Sequence, residues 1–489
     1  MNRKIPSSLA AASLLLALSR GALAQSTHAG LPIEITSMAE LREKGLITQA
    51  EYESALHDLT ESVGTQASSE GTAVLGKWST TLYGFVESDS IWDSTRSFND
   101  LAGAASIARA NTLAGQSSRV TFSVRNSRIG FRLRAPETHG VRASAMIETD
   151  FLGTQLPVGN GGSEGAYFSN TTMRIRHFNL KLETPVVDVL AGQYWQLFGW
   201  QSAYQPNTVE IQGIPGELYA RTPQVRISKA IHLRPVTIEA AVAATRPVQR
   251  DSGIPDGQGG VRFALDTWTG LQTVGATGTQ VSPLSIAVTG LLRRVEVNAF
   301  SAKPATTNDA TMSALAVDAF VPIVPATKDE KESALSLNAE FASGYGIADM
   351  VSGLTGGVSF PALQNPGGAA PPPAYAPDID SGIVTYDASG ALHPIQWTTT
   401  LVGAEYALPG MEGRLWISGN YSHMTSANAH NFGSAASVLS GEDWFDANVF
   451  WDPVPAVRLG LEYANFNDKY ADGQHAINHR AQMSGFFIF

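Results

Sequence analysis

Apolar and polar positions alternate one by one along many segments of the chain after Trp78. In residues 335–342, Leu, Leu, Ala and Phe alternate with Ser, Asn, Glu and Ala, and residues 141–148, 236–243 and 457–464 repeat the pattern. Because a β-strand places successive side chains on opposite faces, each segment has one apolar face and one polar or small face. The pattern predicts an all-β chain of antiparallel strands.

This alternation fits two kinds of protein. In a soluble sandwich the apolar faces pack inward, whereas in an outer-membrane barrel they face lipid and the polar faces line water. At the C-terminus Met483, Gly485, Phe487 and Phe489 share one face, and the chain ends on an aromatic residue. That ending resembles the signal by which outer-membrane barrels are recognised for assembly. It favours a transmembrane β-barrel.

The N-terminus has the features of a secretory signal peptide. Arg3 and Lys4 precede a short apolar run over residues 9–18, and Ala-Leu-Ala at 22–24 forms a cleavage site. We expect residues 1–24 to be removed. After residue 24 no run of about 18 apolar residues follows, so no transmembrane helix is expected. A mature chain in the membrane must therefore be a barrel.

Residues 25–63 follow a different pattern. Ser37 with Glu40 and Thr48 with Glu51 form two capping boxes, each typical of a helix N-terminus. We expect a short, coiled-coil-like helical segment in the periplasm that serves oligomerisation, with a loosely ordered leader as the alternative. Residues 64–77 are rich in Ser, Gly, Thr and Ala and predict a flexible linker. Residues 78–489 then form the barrel domain.

The length of the barrel domain limits the number of strands. At about 25 residues for each strand of about 10 with its turn and loop, the domain predicts about 16 strands, or alternatively about 18. Tight links are expected at residues 136–140 and 452–455. Residues 351–393 are rich in Gly, Pro and Ala, and we expect an extracellular loop through which no strand runs.

Composition excludes several functions. The 489 residues include no cysteine, which rules out disulfides, thiolate catalysis and cysteine zinc sites. Charged residues are 16%, below the roughly 25% of soluble domains. The formal net charge of -11 argues against nucleic acid as a partner. We expect no metal and no cofactor.

Positive charge is nevertheless clustered. Arg128, Arg132 and Arg134 share one strand face opposite an apolar face, and a guanidinium in the middle of a bilayer costs about 2–4 kcal/mol. If the apolar face meets lipid, these side chains line the pore. Phase shifts near Asn126 and Arg176 predict a turn or bulge there. The candidate pore-lining, anion-selecting residues are Arg128, Arg132, Arg134, Arg142, Arg174, Arg176 and Arg226. Arginines at the rim that bind lipid phosphates are the alternative.

Residues 195–222 form a long aromatic stretch with few basic residues. If this loop folds inward, Glu210, Glu217 and Tyr219 lie opposite the arginines, narrow the pore and create a transverse field. A plain external loop is the alternative.

Two stretches resemble the second to fifth strands of trimeric bacterial porins: SRIGFRLRAPETHGVRASAMIETDF (127–151) and TTMRIRHFNLKLETPVVDVLAGQYWQLFG (171–199). With the helical prefix and linker, the chain more closely resembles the DcaP-like family of outer-membrane porins. The resemblance implies a 16-stranded homotrimeric barrel that takes up anionic solutes, dicarboxylates among them. Arg128, Arg132, Arg174, Arg176 and Arg226 are where that selectivity would carry over.

Three functions follow as hypotheses. The first is passive diffusion of small anions through the bacterial outer membrane, in contact with its lipid and lipopolysaccharide. The second is a non-selective porin. The third is an enzyme or adhesin on a barrel scaffold. The ten histidines are scattered, without a G-x-S-x-G or H-E-x-x-H motif, so we expect a protein that is not an enzyme.

Overall fold

The computed structural model describes residues 71–75, 78–102, 106–153, 172–210, 213–249, 252–354, 357–363 and 375–489. All of them belong to the second of the two units of the chain, Thr60–Phe489. The expected signal peptide (1–24) and helical segment (25–63) lie outside the described residues. Of the expected linker, residues 71–75 are described, and they form a short strand.

The described residues form antiparallel β-strands. The strands are β1 (Gly71–Leu75), β2 (Trp78–Asp93), β3 (Arg119–Ser123), β4 (Arg128–Arg134), β5 (Arg142–Asp150), β6 (Arg174–Glu183), β7 (Asp188–Trp195), β8 (Arg221–His232), β9 (Val236–Thr245), β10 (Asp256–Val274), β11 (Gly278–Asn298), β12 (Thr307–Val324), β13 (Leu335–Tyr345), β14 (Val384–Tyr386), β15 (Leu392–Pro394), β16 (Gln396–Ala407), β17 (Leu415–Ser426), β18 (Leu439–Val454), β19 (Val457–Tyr470) and β20 (His475–Ile488). Single 3-10 turns occur at Phe198–Trp200 and Ala429–Asn431.

No helix within the described part of the chain has the length and apolar character needed to cross a membrane.

The first and last long strands close the sheet into a barrel. β2 pairs with β20 on one side, from Phe85 opposite Ile488 to Asp93 opposite Arg480. On its other side β2 pairs with both β3 and β4, which are two pieces of one barrel strand interrupted at residues 124–127. With these counted as one, and with β1 as a short arm on β2, the barrel has the expected 16 strands. The interruption confirms the phase shift expected near Asn126.

The barrel is apolar outside and polar inside. On β19, Leu461 is 54% exposed, whereas the neighbouring Glu462 is 5% exposed inside the barrel. On β20 the outward face includes Met483 and Phe487, as the sequence predicted. Because the outward apolar side chains would be unfavourable in water and favourable against lipid tails, this arrangement is that of a transmembrane barrel. Such closed barrels span the bacterial outer membrane, and the structure confirms that expected localisation.

Connections alternate in length between the two ends of the barrel. At the end we call the turn end, β18 and β19 are joined by residues 455–456 and β4 and β5 by residues 135–141. At the other end, the loop end, the long connections span residues 94–118, 151–173, 196–220 and 346–395.

The connection between β13 and β16 contains the expected loop, with one correction. We expected no strand in residues 351–393, but β14 and β15 form a small hairpin there, separate from the barrel sheet. The loop packs back on the barrel interior through apolar side chains, among them Leu354 and Ile383 against Trp397. It therefore fills part of the lumen.

Candidate functional site: an arginine wall facing an inward loop

β4 presents Arg128, Arg132 and Arg134 to the lumen, with Gly130 on the same face. Ile129, Phe131 and Leu133 alternate with them on the outer face. The Arg132 guanidinium carbon lies 4.1 Å from the centre of the Tyr83 ring, and the Tyr83 hydroxyl donates to Glu148 (3.0 Å). The cation–π contact and the hydrogen bond hold the arginine in one orientation.

Gly130 makes this stacking possible. It lies between Arg128 and Arg132 on the inward face of β4, and a Cβ atom built on it would lie 2.4 Å from the Tyr83 ring. Only a residue without a side chain lets the ring lie against the strand at this point. The glycine therefore determines where Arg132 points.

β6 contributes two more arginines beside a bulge. Glu148 is paired with His177 and Thr149 with Ile175, so Arg176 has no partner in the ladder. This confirms the bulge expected at Arg176 from the break in the alternation, and it turns both Arg176 and His177 inward, where both are buried.

The two arginines of β6 make different contacts. Arg176 is 1% exposed and donates to Glu148 (2.7 Å), Asp150 (3.0 Å) and the Tyr219 hydroxyl (3.3 Å). Arg174 pairs with Asp150 at 2.6 Å and keeps 32% of its side chain exposed. Arg176 is thus a buried structural cation, whereas Arg174 faces the water of the lumen.

β8 adds Arg226 and Arg221. Arg226 donates to the Trp195 carbonyl (2.6 Å) and to Gln224 (3.0 Å). Arg221 lies 4.6 Å from the Trp195 ring centre and donates to the Tyr219 hydroxyl (3.3 Å). Sequence reasoning missed Arg221, since its odd position is out of phase with Gln224 and Arg226 and it begins the strand directly after the loop. We call the set on β4, β6 and β8 the arginine wall: Arg128, Arg132, Arg174, Arg176, Arg221 and Arg226.

Two of the expected pore arginines lie nearer the turn end. Arg134 is on the inward face of β4, opposite Ser79 and Ser144. Arg142 begins β5, lies 3.7 Å from Glu183 and keeps 45% of its side chain exposed. The structure therefore places Arg142 at the rim, apart from the wall.

The described residues of the connection between β7 and β8, 196–210 and 213–220, fold into the lumen, and we call this connection the inward loop. The Trp416 indole on β17 donates to Asn207 (3.0 Å), and the Leu218 amide donates to Glu340 on β13 (2.8 Å). β4, β6 and β8 are among the first six barrel strands, whereas β13 and β17 follow the tenth, so these anchors lie across the barrel from the arginine wall. The loop bridges the lumen, as the inward alternative proposed.

The acidic residues of the inward loop point away from the arginine wall, which differs from the expectation. Arg480 on β20 donates to Glu210 (2.9 Å), and Glu217 accepts a hydrogen bond from the Ile214 amide (3.1 Å). Glu210 is 2% and Glu217 3% exposed. Tyr219 contacts Arg176 and Arg221 of the arginine wall. Burial, reinforced by the nearby Glu340 carboxyl, raises the pKa of Glu217 well above its ordinary value.

The strands across from the arginine wall carry buried carboxylates as well. The inward loop and strand β10 donate to these carboxylates: Glu340 accepts from Leu218, Glu462 from Glu210 and Thr208, and Glu405 from Thr273. Each of the three is at most 7% exposed. The buried carboxylates of these strands are Asp318, Glu340, Glu405, Glu442, Asp446, Glu462 and Asp468. These carboxylates are withdrawn from the water of the lumen, whereas Arg174 of the wall keeps 32% of its side chain exposed.

The fold is similar to solved outer-membrane proteins. The outer membrane channel DcaP of Acinetobacter baumannii matches with a TM-score of 0.60 and 16% identity, over 85% of this chain and 99% of that chain. The anion-selective porin from Comamonas acidovorans matches with a TM-score of 0.45 and 11% identity, over 84% of this chain and 100% of that chain. OmpT, an outer membrane protein of Vibrio cholerae, matches with a TM-score of 0.46 and 8% identity, over 86% of this chain and 99% of that chain.

No protein-family model matches the sequence, and no curated protein matches it. The likeness to DcaP concerns the fold, and at that level it confirms the resemblance carried by the sequence.

Proposed function

We propose that this protein is a passive outer-membrane channel for small hydrophilic solutes that prefers anions, dicarboxylates among them. The observation that carries the proposal is the unequal exposure of charge in the lumen. Arg174 keeps 32% of its side chain exposed, whereas Glu340 and Glu462 across the barrel are each 5% exposed. A pore lined in this way attracts anions, although the whole chain is acidic.

The geometry of the wall suits carboxylate solutes. A guanidinium presents a planar fork of donors that matches a carboxylate, and several arginines at successive positions allow a solute to pass from one to the next. Each contact must stay weak, since a solute that binds tightly does not leave. The aromatic rings of Tyr83 and Trp195 hold the guanidinium groups of Arg132 and Arg221 in place without neutralising them.

A non-selective porin is the second candidate. Glu148 and Asp150 lie within the arginine wall and offset part of its charge. If these two carboxylates cancel the positive charge of the wall, the wall creates a local field but does not select solutes by the sign of their charge. We further propose that the protein is a homotrimer in contact with lipid and lipopolysaccharide and that it has no enzymatic activity.

Reversal potentials in planar bilayers under a salt gradient distinguish the two candidates. We expect an anion-preferring channel whose preference falls in Arg132→Gln and Arg174→Gln. Loss of one charge close to the path changes the local energy of a monovalent anion by about 1 kcal/mol, or about fivefold in concentration. A dicarboxylate added to one side should reduce the single-channel current. Current that rises and falls in groups of three equal steps would support the trimer.

Arg294→Gln is the matched control. Arg294 lies on the outer face of β11, beside Glu296 (3.6 Å) and Asp309 (3.5 Å), so its loss should leave the reversal potential unchanged. Equal permeability to cations and anions in the unmodified protein would reject the anion preference and leave the non-selective porin.

A further inference from the structure

Two guanidinium groups of the arginine wall converge on one oxygen atom of the inward loop. Arg176 on β6 and Arg221 on β8 each donate to the Tyr219 hydroxyl, both at 3.3 Å. Burial by itself raises the pKa of this hydroxyl, but Arg176, Arg221 and Arg128 together lower it below its ordinary value. The point where the guanidinium groups meet therefore favours an oxygen atom that carries negative charge.

Arg221 differs from the arginines beside it because it has no carboxylate partner. Arg176 pairs with Glu148 (2.7 Å), and Arg174 pairs with Asp150 (2.6 Å). Among the residues that the structure describes, Arg221 forms no ion pair, and the charged side chains that act on it most strongly are Arg176 and Arg174. A cation that has other cations as its nearest charges attracts an anion from outside the chain.

Aromatic rings orient Arg221 and leave its charge available. The central carbon of its guanidinium lies 4.6 Å from the centre of the Trp195 ring and 5.0 Å from the centre of the Tyr219 ring. The two rings contact each other edge to face, with centres 4.9 Å apart. Both Tyr219 and Arg221 keep part of their surface exposed. A solute in the lumen can therefore reach the guanidinium beside the hydroxyl.

We propose that the Tyr219 hydroxyl occupies the position of a solute carboxylate between Arg176 and Arg221 and competes with that carboxylate. The inference rests on the proposed function, because it takes the arginine wall as the path of the solute. A carboxylate binds a guanidinium more strongly than a hydroxyl does, so it displaces Tyr219. The competition weakens the net binding of the solute. Since a solute that binds tightly does not leave, a weaker site favours passage through the pore.

A purely structural role of the hydroxyl is the competing explanation, in which it only attaches the inward loop to the arginine wall. Loss of an attachment does not help the arginines to bind a solute, whereas loss of a competitor strengthens that binding. Tyr219→Phe separates the two explanations. Phenylalanine keeps the ring against Trp195 and Arg221 and removes only the oxygen atom.

Block of the single-channel current by succinate, a small dicarboxylate, tests the inference in planar bilayers. We expect Tyr219→Phe to lower the succinate concentration for half-maximal block by about fivefold, which corresponds to about one hydrogen bond, and Arg221→Gln to raise it by a similar factor. In the double variant, Tyr219→Phe should lose most of its effect, because the hydroxyl and the solute compete for the same guanidinium.

Tyr204→Phe is the matched control. Tyr204 also lies in the inward loop, and its hydroxyl accepts a hydrogen bond from Arg262 at 3.3 Å. That arginine lies 3.9 Å from the Glu239 carboxylate, so the variant should leave the succinate block unchanged. A block that is unchanged or weaker in Tyr219→Phe, or an unmodified protein that succinate does not block, would overturn the inference.

Reversal potentials of the same channels under a KCl gradient separate this inference from the proposed function. Anion preference in the unmodified protein, together with a block that Tyr219→Phe does not strengthen, would overturn the competition and leave the proposed function. Equal permeability to cations and anions, together with a block that Tyr219→Phe strengthens, would reject the anion preference and support the carboxylate site.

Discussion

At the scale of single residues, the arginines of the wall divide into two groups by exposure. Arg176 is surrounded by Glu148, Asp150 and Tyr219 and has almost no contact with water. Arg132 instead lies over an aromatic ring and remains partly exposed. A buried cation that pairs with two carboxylates serves mainly to neutralise them, whereas a partly exposed cation acts on the solutes that pass through the pore.

Arg176→Gln should therefore reduce stability more than it changes selectivity. It removes one of the two cations beside each of two buried carboxylates, leaving Arg174 at Asp150 and Arg128 at Glu148, and breaking a buried pair costs up to about 3–5 kcal/mol. The measurement is the urea midpoint of unfolding in detergent, compared with that of Arg132→Gln, which should change little.

The double variant Arg176→Gln with Glu148→Gln is the internal control. It removes a cation and an anion together, so it should recover part of the lost stability. If Arg176→Gln unfolds at the same urea concentration as the unmodified protein, the ion pairs seen around Arg176 contribute nothing measurable.

At the scale of elements, the inward loop is held by acidic groups that are buried under it. Burial and the neighbouring Glu340 raise the pKa of Glu217 well above 4.5, while Arg221 acts weakly against this shift. A carboxyl with a higher pKa in the docked loop binds its proton more tightly there than in the released loop. Docking is therefore favoured at acidic pH and weakens as the pH rises above 4.5.

Glu217→Gln should remove this dependence, since an amide still accepts the hydrogen bond from Ile214 but does not ionise. We expect the variant to raise the thermal unfolding temperature at about pH 8 and to change it little at about pH 4. Glu412→Gln, in an exposed turn, is the control and should have no effect at either pH. Equal effects of Glu217→Gln at both pH values would show that this carboxyl is not coupled to docking.

The barrel strands could be predicted from the sequence because the alternation that indicates a strand lies within the residues of that strand. The alternation of apolar and polar residues predicted the two faces of each strand. Breaks in that alternation predicted the interruption near Asn126 and the bulge at Arg176. The inward loop was a hypothesis with an equal alternative, because its position depends on partners such as Trp416 and Glu340, more than a hundred residues away. The packing of the described residues of the β13–β16 connection into the lumen was missed for the same reason. Arg221 was missed because it directly follows the inward loop and does not fit the alternation that places Gln224 and Arg226 on the inward face of β8.

At the scale of the whole molecule, the charges inside the barrel differ in how far they reach water. The chain carries a formal net charge of -11, yet the seven inward carboxylates of β12 to β19 are buried, whereas Arg128 on β4 and Arg174 on β6 keep 19% and 32% of their side chains exposed. Net charge therefore predicts nothing about the field inside the pore. What a solute meets depends on which charges reach water, and this is decided by the loops that cover one side of the lumen.

A field that arises from partly exposed arginines should be weakened by salt. The Debye length is about 10 Å at about 0.1 M salt and about 3 Å at about 1 M, so at high salt each guanidinium acts only on a solute in contact with it. We expect the anion-to-cation permeability ratio to fall toward one as KCl rises over this range, and Arg132→Gln to lower the ratio mainly at low salt. A ratio that does not change with salt would mean that solutes are selected by direct contact or by pore width, and the long-range field of the arginine wall would then have no part in selection.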